Sequence, residues 1–163
     1  MWQKYIDRAL EMGACDVRFL DPRQVVTAPW VRHKCQFGCG QYGKNRCCPP
    51  FTPEWKTTRE ILDGFSKGLL VRNTGWNSTE IARDLARMLF LDGYYKAIGF
   101  GSGGCRLCKE CDLENCRHPE QIIPSMEACG IDVFATARAQ GFPIEVLTEK
   151  GQAHNTYCLV LIE

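Results

Sequence analysis

Eight of the eleven cysteines stand in two short runs, Cys35-x3-Cys39 leading to Cys47-Cys48-Pro49-Pro50, and Cys105-x2-Cys108-x2-Cys111-x4-Cys116. Two-residue gaps let successive thiolates turn inward from one winding loop, which is how bacterial ferredoxins wrap an iron–sulfur cube. A four-cysteine zinc site more often takes two separated C-x2-C pairs. The second run therefore favours a [4Fe–4S] cluster with Cys105, Cys108, Cys111 and Cys116 as ligands. Zinc on the same four sulfurs is the alternative. The gap before Cys116 is one residue longer than in the bacterial pattern, and Pro119 stands three residues on instead of adjacent.

In the first run the expected ligands are Cys35, Cys39 and Cys48. Pro49 removes a backbone donor and fixes φ just after Cys48, turning the chain away from a cluster. Neighbouring side chains in an extended loop point apart, so Cys47 and Cys48 are not expected to serve one site equally. The fourth position stays open between Cys47, His33, Cys129 and a cysteine of the other run. An exchange in which Cys48 serves the second site and Cys116 the first is a further arrangement, since two-cluster ferredoxins swap their fourth ligands.

Gly99-x-Gly101-x-x-Gly104 matches a dinucleotide fingerprint in letters, but a cysteine loop follows where a helix should open. These glycines are better read as letting the backbone approach a cluster and aim N–H groups at its sulfurs. His118 stands close enough to Cys116 to support it by a hydrogen bond, with a plain loop role as the alternative. His154 reads as a surface turn residue. Cys158 and Cys15 fall in apolar strand patterns and read as core.

The elements that must hold these loops follow from periodicity. Residues 1–12 read as an amphipathic helix ended by Gly13, and residues 17–20 and 25–31 as two extended segments around Asp21-Pro22. The first cysteine run is a loop. Thr52-Pro53-Glu54 looks like a helix start, with the helix running to about residue 62. Residues 68–72 read as a buried strand and 77–93 as a helix whose core stripe is Ile81, Leu85, Met88 and Leu89. Residues 94–100 read as a strand feeding the second run. A helix over 125–140, with a break at Gly130, and strands at 144–147 and 157–162 complete the chain. The expectation is α/β, one domain over residues 1–163, a sandwich of a mixed sheet and helices with two cysteine-rich cluster-binding loops.

Composition narrows the function classes. The 163 residues suit one core, and 45% hydrophobic with 24% charged content is ordinary. A net charge of +1 speaks against nucleic-acid binding, and no apolar run reaches the length of a membrane span. The start lacks the apolar stretch of a signal peptide. Eleven cysteines without one imply a reducing compartment, and the cytoplasm is expected. Residues 30–51 hold Arg32, Lys34, Lys44 and Arg46 and no acid, a patch that could offset an anionic cluster or meet an acidic partner.

Three stretches carry a family resemblance. They are Cys39-x2-Tyr42-Gly43-Lys44-Asn45 leading to Cys48-Pro49-Pro50, then Cys105 through Cys116 with Arg117-His118-Pro119-Glu120, and Pro124-Ser125-Met126-Glu127-Ala128-Cys129-Gly130-Ile131-Asp132-Val133. Together they resemble a family of small prokaryotic proteins catalogued as a domain of unknown function and predicted to bind metal. The resemblance implies metal or iron–sulfur binding and no particular activity. Cys47 looks like an addition beside the family's Cys-Pro-Pro.

The function expected from these readings is an iron–sulfur protein carrying one or two [4Fe–4S] clusters, which exchanges electrons with a redox partner protein. No nucleophile elbow, phosphate loop or histidine–carboxylate pairing suggests catalysis of its own. The alternatives are an enzyme or small-molecule binder using an iron left open by three thiolates, and a zinc-stabilised interaction module.

Overall fold

Leu69 and Val71 point to one side of their strand and Leu70 to the other, and all three are fully buried. A strand of this kind needs cover on both faces of its sheet. A computed structural model describing residues 1–163 shows that cover. The sheet has four strands, β1 (Asp16–Leu20), β2 (Gly68–Asn73), β3 (Ile98–Phe100) and β4 (Thr156–Leu161), in the order β1-β2-β4-β3.

One face is covered by helices α1 (Gln3–Glu11) and α4 (Ser78–Leu91). Tyr5 and Ala9 of the first, and Ile81, Leu85 and Leu89 of the second, pack with Leu69, Val71, Cys158 and Val160. The i, i+4, i+8 spacing in α4 makes that stripe. The other face is covered by α3 (Trp55–Asp63), α5 (Val133–Ala139) and the loops around them. There Leu62, Ile131, Val133 and Ala137 join Leu20, Leu70, Leu159 and Leu161. Helix α2 (Pro29–Gln36) touches the short 3-10 turn Glu127–Cys129. No helix is long and apolar enough to cross a membrane.

The architecture is α/β in one domain, as periodicity suggests, and several local readings change. The sheet pairs antiparallel throughout where a mixed sheet was expected. Strands β2 and β3 run parallel to each other across α4, but β4 enters between them and opposes both. A parallel pairing remains as the isolated bridge Gly101–Ser125. Residues 25–31 do not form a strand: Pro29 occupies the start of α2, where its fixed φ suits a first turn, and Cys35 lies in the last turn of that helix. Only Ile98–Phe100 of the 94–100 segment pairs as a strand, and 144–147 has no regular structure.

Helix α3 begins at Trp55, beyond the expected cap. Thr52 instead donates its hydroxyl to the Ala128 carbonyl at 2.5 Å, tying the first cysteine loop to the 127–129 turn. The helix expected over 125–140 is confined to Val133–Ala139; before it stands the 3-10 turn Glu127–Cys129, and Gly130 at φ +78° separates the two. Cys158 is fully buried, whereas Cys15 is exposed and meets only Thr74 at 3.6 Å. Cys15 precedes β1 by one residue, so the pleat does not turn it inward.

Candidate metal centre

The second cysteine run hangs from the end of β3. The Gly101 N–H donates to the Pro124 carbonyl at 2.8 Å and the Gly101 carbonyl accepts from Met126 N–H at 3.0 Å. Thr79, in the first turn of α4, accepts from Ser102 N–H and donates back to the Ser102 carbonyl, both at 3.1 Å. Both ends of the run are therefore clamped to the sheet-and-helix body.

In the first run, the Gly43 N–H donates to the Pro49 carbonyl at 2.8 Å and Cys48 N–H to the Asn45 carbonyl at 3.2 Å. Cys47 and Cys48 are only 3% and 7% exposed. Asn45 joins the two runs. Its buried Oδ1 accepts from the N–H of Cys47 at 3.1 Å and of Cys105 at 3.4 Å. A side-chain oxygen that binds the N–H two residues on is ordinary asparagine turn chemistry. That was the available signal, though nothing in the letters pointed to Cys105. Gly104 sits against this junction: a Cβ there would meet Asn45 Nδ2 at 3.1 Å and Cys48 Sγ at 3.5 Å. The backbone of the second run thus passes close to a thiol of the first.

Two cavities divide the thiols. Cys35, Cys39 and Cys48 line one of about 420 Å³, together with Glu127, Tyr42 and Trp76. Cys47, Cys105, Cys108, Cys111 and Cys116 line the other, a narrow space of about 20 Å³ bordered by His118 and Arg46. Cys47 therefore stands with the second run. No three His, Cys, Asp or Glu side chains converge on a point where a single metal ion could sit. The donor sets themselves, three thiols and five, are soft sulfur ligands of the kind that iron–sulfur clusters and zinc take.

Burial and the neighbouring thiols of both groups act on the deepest cysteines. Burial raises the Cys35 thiol, and Cys39, Cys48 and Glu127 add to the rise. Burial also raises Cys48, against a lowering hydrogen bond from Asn45. Cys47 is pushed up to about 12, by burial first and then by Cys105. Crowded thiols that resist ionisation one beside another ionise readily only against positive charge, which a metal centre supplies. Glu127 is part of this group: burial holds its carboxyl above the ordinary range, and its Oε2 is sealed from solvent without a hydrogen-bond partner.

The other candidates lie elsewhere. Cys129 is buried in the core beneath the sheet, with its thiol pushed up to about 12 by burial, and lines neither cavity. His33 is exposed on α2 and packs its ring on Phe37 at 4.9 Å. His154 is half-buried rather than on an open turn: it packs edge-on against Trp76 at 5.4 Å and borders the larger cavity. Arg106 covers the same indole at 4.9 Å.

The chain belongs to the family described as predicted metal-binding protein (DUF2284), whose profile matches residues 18–162 and so includes both cysteine runs. Neither a curated protein nor a solved structure gives a significant match.

Proposed function

We propose that this metal-binding chain is an iron–sulfur protein that holds two [4Fe–4S] clusters and exchanges single electrons with a redox partner protein in the cytoplasm. The observation that carries the reading is the division of eight thiols between two adjoining cavities. Cys105, Cys108, Cys111 and Cys116 hold one cluster, with the ferredoxin-like two-residue gaps behind the assignment. Cys35, Cys39 and Cys48 hold the other. Bound clusters supply one-electron chemistry at potentials set by charge, hydrogen bonds and exposure.

The protein's own contribution is to hold the loops and shape their surroundings. Asn45 fixes the two runs against each other through the backbones of Cys47 and Cys105. Lys34, Lys44 and Arg46 are exposed and offer charge to an acidic partner, while Arg32 is engaged by Glu54. The test is anaerobic reconstitution followed by reduction. A brown protein that bleaches on reduction and develops paramagnetic signals from two centres is expected; a colourless protein that retains zinc overturns the reading.

A second reading is favoured by the roomy cavity beside the three-thiol site. Its volume of about 420 Å³ and its border of Tyr42, Trp76, Arg106 and His154 suit a small polar molecule binding next to the cluster. A paramagnetic signal that changes on adding a metabolite distinguishes this from electron transfer alone.

A further inference from the structure

A cubane has four irons to ligate, and the larger cavity presents three thiols. Glu127 lines that cavity with Cys35, Cys39 and Cys48, and lines the adjoining cavity with Cys35 and Cys39 again. Its Oε2 is shut off from water and lacks a hydrogen-bond partner, while the Ser125 hydroxyl and a backbone N–H approach the carboxyl without offsetting its burial. A buried carboxylate oxygen with no partner is costly unless a proton or a cation satisfies it. Arg32, on the helix that carries Cys35, forms an ion pair with Glu54. Helix α2 and the turn that carries Glu127 pack on each other, so Cys35 and Glu127 stand on neighbouring elements. The thiol candidates from sequence do not fill the position. Cys129 is in the core, and Cys47 stands with the second run.

We propose that the Glu127 carboxylate is the fourth protein ligand at the first site, completing the set formed by Cys35, Cys39 and Cys48. The assignment rests on the reading above that the first run holds a [4Fe–4S] cluster. A hard carboxylate oxygen binds iron of a cluster less firmly than a soft thiolate does. An iron held by Glu127 would be the most exchangeable of the four, and the cavity that Glu127 shares with Cys35 and Cys39 would give a small ligand room beside the carboxylate.

The test uses the full chain, reconstituted without oxygen with 57Fe and compared with Glu127→Ala and Glu127→Cys, folding being followed by far-UV circular dichroism. Mössbauer spectra of the wild type should show about one iron in eight unlike the thiolate-ligated rest. Glu127→Cys should convert that iron to the thiolate kind and keep full iron. Glu127→Ala should lose about one iron per chain on mild oxidation, at least tenfold faster than Glu127→Cys. The proposal is overturned if Glu127→Ala keeps the wild-type spectrum and iron retention, or if a folded Glu127→Cys protein fails to convert the distinct iron. A wild type that takes up no iron and sulfide at all rejects the cluster reading itself, a different outcome from either.

Discussion

Cys47 and Cys48 share one peptide bond and face different cavities: Cys47 stands with Cys105, Cys108, Cys111 and Cys116, and Cys48 with Cys35 and Cys39. The Asn45 side chain holds the arrangement by binding the N–H of Cys47 and of Cys105. Two clusters held by the two groups would lie on either side of this dipeptide.

The second cavity has five thiols for a cluster that takes four. With the second run as the ligand set, Cys47→Ala should leave iron content at about eight per chain. It should still shift the potential of one centre, because the thiol beside Cys105 is gone. A loss of about four irons would make Cys47 a ligand and Cys116 the spare thiol.

Cys108 lies in the middle of the two-residue gaps and only in the narrow cavity. Cys108→Ala should remove about four irons and leave the other centre's paramagnetic signal in place. Loss of both centres, in a chain that still folds, would mean the runs share ligands.

Gly130 links the turn carrying Glu127 to α5 at φ +78°, and a Cβ there would come within 2.6 Å of Trp55 Cβ. Strain and overpacking act together, so Gly130→Ala should lower stability by about 2–4 kcal/mol. Urea unfolding of the cluster-free chain measures it; a change below about 1 kcal/mol would show that Trp55 and the turn move aside freely.

Asp92, at the end of α4, accepts from Tyr5 Oη and pairs with Lys4, each at 2.8 Å. The hydrogen bond from Lys4, and then that from Tyr5, hold its carboxyl below the ordinary range. A depressed carboxyl stabilises the fold above its unfolded value of about 3.9, and that contribution fades as pH falls through the folded value. Asp92→Asn should therefore be less stable than wild type at neutral pH, with the two curves converging below about pH 3. A constant gap across that range would mean the charge contributes nothing.

The sheet and its α1–α4 cover were legible because their burial is periodic. Ile81, Leu85 and Leu89 recur at helical spacing, and residues 68–72 and 157–162 are apolar runs of strand length. The α2 region was not, because the β-branched residues Val25, Val26, Thr27 and Val31 favour a strand locally while Pro29 starts a helix. The two cysteine groups were legible from spacing alone. The place of Cys47 in the second group was not, since it depends on an Asn45 contact between residues sixty apart in the chain. Glu127 stood inside the third resembling stretch but gave no chemical signal there: a single acid in a turn acquires meaning only once burial leaves its oxygen without a partner.

The most direct measurement is iron, acid-labile sulfide and zinc on the full chain purified and loaded without oxygen. About eight irons and eight sulfides per chain, with no stoichiometric zinc, is the predicted result. Zinc in whole-number amounts without sulfide, or disulfides joining Cys35, Cys39 and Cys48, would contradict it.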